Sequence, residues 1–286
     1  MIKFSANNSV LKIFGKKKWF HFLFTVDPTI LNRIDEKILL EVAYSTLIME
    51  NKTSKQTTKN RFKELDNVIL DVLKLFNHPN ILDMGVSSGI TTYELHELLT
   101  SNRIKFCLSA SDKYSKIQVL KNSFMTVVLD SNQKIFAIHV LGLFLSDLLS
   151  WKYFLSKFLF KISSKFFQLD LYKTVEVSLL HKTFQDLIQN KNIKFFEHDI
   201  FDKIDSNTYD FIRVMNLLNL RYFEKDKIIT ALKNVKLSLR NGGYLLLGRT
   251  LNEINDAAVY RLVNDKFKLV RSINKGAEIH NLVISL

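Results

Sequence analysis

The sequence predicts an α/β fold in which a mainly parallel sheet carries helices on both faces. From about residue 80 to the end of the chain, apolar segments of strand length alternate with segments of helical periodicity, which is the pattern of doubly wound proteins. Between Ile81 and Thr92 an apolar segment enters a glycine-containing turn, and a helical segment leaves it. Turns of this kind hold nucleotide-like cofactors at the carboxyl ends of parallel strands, so we expect a cofactor site here.

The composition is that of a folded protein with a large positive charge. With 286 residues the chain can form one large domain with additions or two smaller domains, and we favour the former. Hydrophobic residues make up 47% and charged residues 24%, which excludes a wholly disordered chain. The formal charge of +13 favours contact with nucleic acid, anionic lipid or an acidic partner, although an AT-rich genome produces the same lysine-rich bias. Nucleic acid is less favoured because no basic-aromatic binding module accompanies the charge.

The single cysteine, Cys107, excludes an internal disulfide, which fits a reducing compartment. Lys16 to Lys18 precede a short apolar run, but His21 interrupts that run and no small-residue cleavage site follows it. We therefore predict no secretory signal. These features favour a cytoplasmic protein, with peripheral contact to a membrane as an open alternative.

Residues 1–76 are predicted to form a helical, basic N-terminal extension. Every charged residue before Asp27 is a lysine, and seven large apolar side chains lie between Ile13 and Phe24. Such a segment fits the surface of an anionic membrane, and it equally fits a helix packed on the domain. Asp27 and Pro28 are typical of a helix start, because Asp caps a helix well and Pro suits its first position.

Two helices are expected within this extension. Apolar residues repeat at helical spacing from Ile30 to Val42 and again from Phe62 to Leu73. The polar, lysine-rich residues 51–60 are predicted to form the loop between them. We expect the two helices to cover the entrance to the cofactor cleft.

An alternation of strands and helices that forms one α/β domain is predicted over residues 77–286, interrupted by an insertion at 113–171. Its strands are expected at 80–84, 104–110, 194–197, 209–215, 244–248, 259–271 and 282–286, and its helices at 89–99, 172–190 and 223–239. The glycine-rich segment 240–243 is predicted to be the turn that closes the last of these helices.

The insertion is predicted to contain a hairpin followed by a long helix. Residues 124–129 and 134–140 have the pattern of two strands joined by a polar turn. Residues 141–167 carry an apolar, aromatic stripe flanked by lysines. A transmembrane span is disfavoured, since Asp147 and Lys152 interrupt the apolar run. A lid or dimer element that packs its apolar face is slightly favoured over a helix that lies in the membrane interface.

The residues of the glycine turn suggest how a cofactor is held. Asp83, Gly85, Ser87 and Gly89 fit an acid-x-Gly-x-Gly-x-Gly turn in which serine replaces the middle glycine. Glycine lets the backbone bend sharply and approach a ligand closely. Alone, this turn also occurs without any ligand.

Two acids after the following strands strengthen the cofactor hypothesis. Asp112 follows the second strand, where a carboxylate accepts hydrogen bonds from ribose hydroxyls. Asp199 follows the third, where a carboxylate could face an adenine amino group. Both acids also suit the alternative role of a helix N-cap.

These motifs together resemble those of class I S-adenosylmethionine-dependent methyltransferases. The resemblance covers about residues 77–286 outside the insertion and rests on 83–89, Asp112, His198-Asp199, 209–216 and 241–248. Residues 209–248 are also similar to the protein-glutamate methyltransferases of chemotaxis. A poorly characterised bacterial group is a better match, because it shares Gly-Val-Ser-x-Gly at 85–89 and Gly-Arg-Thr at 248–250.

The resemblance implies a Rossmann-like fold, S-adenosylmethionine as the cofactor, and methyl transfer to an unidentified acceptor by in-line displacement. No metal is expected. The cofactor-binding residues that it implies are Asp83, Gly85, Ser87, Ser88, Gly89, Asp112 and Asp199. On the acceptor side we expect Arg213 and Asn216 as catalytic residues, with Asn219 and Tyr222 nearby. Leucines follow Asn216 where amino-directed relatives have prolines, which disfavours an exocyclic amine as acceptor.

Several alternatives stay open at this point. Arg213 and Arg249 could bind an anionic substrate, or they could instead pair with Asp199 or Asp210. Glu278 and His280 could line the cleft or cap a strand. The chain could also bind S-adenosylmethionine without turnover, or methylate a lipid-linked substrate at a membrane surface.

Overall fold

The computed structural model describes residues 1–34, 37–50, 55, 58–166 and 174–286, and the chain divides into two compact units. Unit 1 comprises Met1–Thr57 and Tyr114–Leu180, and unit 2 comprises Thr58–Lys113 and His181–Leu286. The described strands are β1 (Lys3–Ala6), β2 (Phe24–Val26), β3 (Asn80–Met84), β4 (Cys107–Asp112), β5 (Lys116–Lys121), β6 (Met125–Leu129), β7 (Ile135–Val140), β8 (Leu143–Leu145), β9 (Thr174–Ser178), β10 (Lys194–Glu197), β11 (Tyr209–Met215), β12 (Leu239–Leu251), β13 (Ile254–Val263) and β14 (Lys266–Ile273). The described α-helices are α1 (Asn8–Phe14), α2 (Phe20–Leu23), α3 (Lys37–Thr46), α4 (Asp66–Leu73), α5 (Ile90–Ser101), α6 (Phe154–Ser163), α7 (Lys182–Gln189), α8 (Lys225–Ser238) and α9 (His280–Ile284).

Unit 2 contains a seven-stranded sheet in the order β10-β4-β3-β11-β12-β13-β14. Its first five strands are parallel, and β13 and β14 are antiparallel additions at one edge. Numbered within the unit, the parallel strands follow the order 3-2-1-4-5 of doubly wound folds. The predicted α/β class is therefore confirmed. In such a sheet, ligands bind at the carboxyl ends of the strands, where the strand order reverses between β3 and β11.

Strand β11 lies in the middle of this sheet and is packed by helix α8. All seven residues of β11 are buried. Helix α8 places Ile228, Leu232 and Val235 in the same apolar cluster as Leu82 of β3 and Ile212 of β11. Each such side chain stabilises the fold by roughly 1.5–3 kcal/mol when it is fully buried. Five of the seven residues of β11 are apolar, as expected for a strand that is covered on both faces, and the sequence predicted its bounds.

Unit 1 contains a second seven-stranded sheet, in the order β2-β1-β8-β7-β6-β5-β9. Among the described strands of this sheet, β1 and β2 pair in parallel and the other neighbours are antiparallel. The predicted hairpin of residues 124–140 corresponds to β6 and β7. Within the described residues, no helix has both the length and the apolar composition needed to cross a bilayer.

The units divide the chain differently from the predicted boundaries of 1–76, 77–286 and the insertion 113–171. Strand β1 pairs with β8, with Lys3 opposite Phe144 and Phe4 opposite Leu143. The N-terminal residues and the insertion therefore share one sheet and one apolar core. The N-terminal residues also contribute strands, although only helices were expected there. Pairing between segments about 140 residues apart leaves no local sequence pattern that could predict it.

Several predicted elements differ in type or extent. The predicted helix 172–190 is helical only over Lys182–Gln189, and Thr174–Ser178 forms strand β9, where Thr174, Val175 and Val177 favour extended backbone. Residues 172 and 173 lie outside the described part. The predicted long helix 141–167 is shorter, because β8 occupies Leu143–Leu145 and α6 begins at Phe154.

Two further predictions near the C-terminus were wrong. The expected strand 282–286 is the helix α9. The expected turn 240–243 lies within β12, where the pairing register with β11 shifts between Tyr209 and Phe211. Gly242 absorbs this irregularity with a φ of 87°. A bulge of this kind uses the same residue types as a turn, so the sequence cannot separate the two.

The two helices expected in the N-terminal extension are also shorter. Asp27 does cap a helix, since its Oδ1 accepts from the Thr29 N–H at 2.9 Å, but Pro28–Arg33 is a 3-10 helix and α3 follows separately. The second helix, α4, begins at Asp66. Most of the predicted loop 51–60 lies outside the described residues.

Candidate functional site

The glycine turn joins β3 to α5 through three residues in the left-handed region. The φ angles of Gly85, Ser87 and Gly89 are 71°, 58° and 81°. Glycine adopts such angles readily, whereas a serine in this conformation is strained by on the order of 1 kcal/mol. The turn therefore needs both glycines and keeps one strained position between them.

Close packing is a second reason for these glycines. A Cβ atom on Gly85 would lie 2.8 Å from the Leu217 side chain. A Cβ atom on Gly89 would lie 2.1 Å from the Phe184 ring of α7. Gly89 thus allows α7 to approach the start of α5, which is the packing role that the last glycine has in nucleotide-binding turns.

Four N–H groups of the turn bind protein acceptors. Gly85 and Val86 donate to the Ser111 carbonyl oxygen at 2.8 and 3.2 Å, and Ser87 donates to Asp112 Oδ2 at 2.7 Å. Gly89 donates to the Val86 carbonyl oxygen at 2.8 Å. The carboxyl end of β4 therefore fixes the turn from one side.

Helix α7 fixes the turn from the other side. Ser88 is fully buried, and its carbonyl oxygen accepts from the His181 N–H at 2.8 Å. His181 is also the N-cap of α7, because its Nδ1 accepts from the Thr183 N–H at 3.2 Å. One residue thus starts the helix and ties it to the turn.

Asp83 and Arg213 form a buried ion pair between the neighbouring strands β3 and β11. The two residues are directly opposite in register. Arg213 donates through Nε to Asp83 Oδ1 at 2.8 Å and through Nη2 to Oδ2 at 2.5 Å, and Thr92 donates to the same Oδ2 at 2.6 Å. Nη2 also donates to the Thr91 carbonyl oxygen at 3.0 Å. This pair connects two strands to the first turn of α5.

The Arg213 guanidinium is shielded from solvent and lies against an aromatic ring. Only 2% of Arg213 is exposed, and its guanidinium lies 5.3 Å from the centre of the Phe62 ring. Burial raises the pKa of Asp66 nearby, although the charges of Arg213 and Lys63 oppose this shift. Arg213 pairs with Asp83 rather than with the expected partners: Asp210 instead accepts from Arg240 at 2.9 Å.

The two acids at the next strand ends lie close to each other. Asp112 is opposite Glu197 where β4 pairs with β10, and the His198 N–H donates to the Asp112 carbonyl oxygen at 3.1 Å. Asp199 pairs with Lys113 at 2.8 Å and accepts from the Phe201 N–H at 3.2 Å. The structure thus brings Asp112 and Asp199 together with the glycine turn at one edge of the sheet.

Asn216 connects β11 to β12. Its φ is 60°, its Oδ1 accepts from the Thr250 N–H at 2.6 Å, and its Nδ2 donates to Thr250 Oγ1 at 3.2 Å. Asn219 is buried and accepts from the Arg221 N–H at 3.1 Å, whereas Tyr222 is exposed. Of the residues expected on the acceptor side, only Tyr222 therefore presents most of its side chain to solvent.

No protein-family model and no curated protein matches the chain. Solved structures do match. The protein PH0226 of Pyrococcus horikoshii OT3 is 12% identical over 82% of this chain and 84% of its own, with a TM-score of 0.37. The N-methyltransferase NodS of Bradyrhizobium japonicum WM9, in complex with S-adenosylhomocysteine, is 15% identical over 66% of this chain and 61% of its own, with a TM-score of 0.31. An S-adenosylmethionine-dependent methyltransferase of Methanosarcina mazei is 14% identical over 63% of this chain and 55% of its own, also with a TM-score of 0.31.

This chain thus spans less than two thirds of the last two proteins. At these TM-scores the fold assignment rests on the strand order of unit 2 and not on the likenesses. Unit 2 is doubly wound. It has the Rossmann-like fold that the resemblance to class I S-adenosylmethionine-dependent methyltransferases implies.

A polar network at the ends of β12 and β13 was missed by the sequence reasoning. Asn255 is 1% exposed and accepts from Thr250 Oγ1 at 2.7 Å, and its Nδ2 donates to the Arg61 carbonyl oxygen at 2.8 Å. Arg61 Nε donates to Thr250 Oγ1 at 3.2 Å, and burial lowers the pKa of Arg61. The Gly-Arg-Thr motif was the one signal that pointed to this network, through Thr250.

The remaining candidates have structural partners. Arg249 binds Glu278 at 2.5 Å. The Tyr260 hydroxyl lies 3.0 Å from His280 Nδ1, and the two rings stack 5.7 Å apart. Glu278 and His280 therefore support β12 and β13, respectively.

Proposed function

We propose that the chain binds S-adenosylmethionine at the glycine turn of unit 2 and transfers its methyl group to an acceptor that is still to be identified. The observation that carries this proposal is the hydrogen bonding of the glycine turn and the position of Asp112 beside it. Its N–H groups bind Ser111, Asp112 and Val86, while the Asp112 carboxylate lies beside the turn at the carboxyl edge of the sheet.

These hydrogen bonds discriminate between two classes of adenosine cofactor, the dinucleotides and S-adenosylmethionine. Dinucleotides need glycine-turn N–H groups that point at a pyrophosphate, and they need a glycine at the middle position for close approach. Here the N–H groups of Gly85, Val86, Ser87 and Gly89 have protein acceptors, and Ser87 occupies the middle position. A cofactor without a pyrophosphate satisfies the site better. Together with the motif resemblance, this favours S-adenosylmethionine over a nicotinamide cofactor.

The acids then divide into two roles. Asp112 would accept from the ribose hydroxyls, and Asp199 would approach the adenine amino group with Lys113 balancing its charge. Asp83 would act without touching the ligand, because its carboxylate is buried against Arg213 and Thr92. It positions the turn by holding β3, β11 and α5 together.

Methyl transfer from this cofactor needs few catalytic groups from the protein. When bound, S-adenosylmethionine supplies an activated methyl group, so the protein orients the acceptor and excludes water without needing a base. Arg213 and Asn216 were expected to be catalytic, but their bonds to Asp83 and Thr250 favour positioning roles. The segment after Asn216, with the exposed Tyr222, is the better candidate for contact with the acceptor.

Calorimetric titration of the full chain with S-adenosylmethionine, NAD and ATP tests the cofactor. We expect binding of S-adenosylmethionine alone, and preferential binding of NAD or ATP would overturn the proposal. Transfer of a tritiated methyl group from the cofactor into fractionated cell lysate then tests turnover. Binding with no labelled product in any fraction would leave a binding protein and would overturn the enzymatic half.

A further inference from the structure

Unit 1 carries a surface on which large apolar side chains remain exposed. We name it the aromatic face, and its members are Trp19, Phe22, Trp151, Phe154, Phe158 and Ile162. Trp151 is 84% exposed, and Phe154 and Phe158 are each 57% exposed. Apolar surface of this kind on one side of a folded unit marks an interaction site.

Helix α6 shows that the exposure is organised. Phe154, Phe158 and Ile162 are four residues apart, so they form one stripe along the helix. Ser156 and Phe160 are buried and face the unit instead. The helix thus has two apolar sides. The lid or dimer element expected from the sequence would pack this stripe, but among the residues that the structure describes it stays exposed.

The N-terminal aromatic residues belong to the same surface. Phe22 and Tyr153 have ring centroids 6.0 Å apart, and the Tyr153 hydroxyl donates to the Phe22 carbonyl oxygen. The Lys152 ammonium lies 4.4 Å from the centre of the Phe22 ring. Strand β1 is joined to α6 as well, since the Lys3 N–H donates to Ser156 Oγ at 3.0 Å. Segments more than 120 residues apart in sequence therefore form one face.

The charged residues of the two chain segments that form this face are all positive. Residues 1–26 contain five lysines and no acid, and residues 148–165 contain four lysines and no acid. Lys16, Lys17, Lys18 and Lys161 are exposed. Apolar and aromatic side chains flanked by lysines match proteins that lie in the headgroup region of an anionic bilayer.

We propose that the aromatic face docks unit 1 onto an anionic lipid surface. A second copy of the chain is a poorer occupant, because two such faces would bring their lysines together. Nucleic acid is also poorer, because Ile162 offers a base nothing to stack on, and the stripe lies along a helix rather than in a groove. This inference goes beyond methyl transfer and does not depend on it.

The chain contains its own probes for this docking. Its two tryptophans, Trp19 and Trp151, both belong to the aromatic face. Entry of this face into a bilayer should therefore shift the intrinsic tryptophan emission to shorter wavelength. The shift should occur with vesicles of phosphatidylcholine mixed with phosphatidylglycerol, but not with phosphatidylcholine alone. High salt should weaken it.

Co-sedimentation of the full chain with the same vesicles tests the two components separately. The double variants Phe154→Ser with Phe158→Ser, and Lys161→Glu with Lys165→Glu, should each lower the bound fraction by about tenfold or more. Val175→Ser is the matched control, since Val175 is exposed on β9, the strand at the far edge of the same sheet. It should bind like the wild type. Unchanged circular dichroism shows that each variant is folded.

Four results would overturn the proposal. The first is no binding of the wild type to the anionic vesicles. The second is equal binding of the Phe154→Ser, Phe158→Ser variant and the wild type. The third is a dimer in solution that this variant converts to monomers, which would make the face a contact between copies. The fourth is retention on nucleic acid that needs the lysines but not the aromatic residues.

Discussion

The two units differ in the charge state of a buried ionisable group. Unit 2 keeps a charged pair in its core, where Asp83 and Arg213 bridge β3 and β11. Unit 1 buries His139 with a neutral partner, the Ser5 hydroxyl, at 2.7 Å from Nδ1. Burial lowers the pKa of His139 to about 4, although the charge of Asp27 opposes this shift, so His139 is neutral near pH 7.

The difference follows from what each core has to hold. In unit 2 the ion pair joins two strands and a helix at the glycine turn, and its directional bonds fix the backbone there. In unit 1 the polar groups satisfy one another inside a mixed sheet, with Thr126 donating to Asp27 at 2.7 Å beside His139. We therefore expect unit 2 to be sensitive to loss of a partner and unit 1 to be sensitive to pH.

The largest effect is expected for Arg213→Met. This substitution leaves the Asp83 carboxylate buried without its cation, which should lower the free energy of unfolding of unit 2 by about 3–5 kcal/mol. Urea denaturation followed by circular dichroism measures the change. The control is Arg240→Met, because Arg240 is half exposed in its pair with Asp210 and should contribute less than about 1 kcal/mol. Equal losses in the two variants would contradict the structural role of the buried pair.

The second-largest effect is expected for the pH dependence of the stability of unit 1. The folded state keeps His139 neutral, whereas the unfolded chain protonates it near pH 6.5. The folded pKa is the lower one, so stability is lost as the pH falls from about 6.5 towards about 4, by up to about 3 kcal/mol. Denaturation of the wild type and of His139→Gln over this range measures it. The variant should lose the slope, and an unchanged slope would show that another group causes it.

Gly89→Ala and Gly142→Ala compare two glycines of nearly equal φ, 81° in unit 2 and 79° in unit 1. A Cβ atom at Gly89 meets Phe184 at 2.1 Å, but at Gly142 it meets nothing within 4 Å. In both variants backbone strain should lower the free energy of unfolding by about 1–2 kcal/mol, and only in Gly89→Ala should a steric clash lower it further. Thermal unfolding and S-adenosylmethionine titration of both variants test this. Similar stability and affinity in the two would show that α7 does not need the glycine.

Much of unit 2 could be predicted from local sequence. The bounds of β3, β10 and β11 are those expected. For β3 and β11 the reason is burial, because strands covered on both faces are rich in apolar residues between turn residues. The partner of Arg213 was not predicted. The register that places it opposite Asp83 depends on β11 pairing with β3, which no spacing along the chain reveals.

Unit 1 was harder to predict for a related reason. Its sheet joins β1 to β8 and β5 to β9, and each of these pairs consists of strands that are far apart in sequence. The sequence does not predict strand β5, and it predicts a helix where β9 forms. The exposed stripe of α6 was predicted as a pattern, but a sequence cannot show which side of a two-sided apolar helix stays uncovered.

Affinity of S-adenosylmethionine for the wild type and for Asp112→Ala, measured by titration calorimetry, tests the central claim most directly. Asp112 is the acid that both holds the Ser87 N–H and would accept from the ribose, so its loss should weaken binding by roughly ten- to a hundredfold. Asp205→Ala is the control, because Asp205 is exposed before β11, at the amino ends of the strands. Wild-type affinity in Asp205→Ala with a large loss in Asp112→Ala is the predicted result. Equal affinities in all three proteins would contradict a cofactor site at this turn.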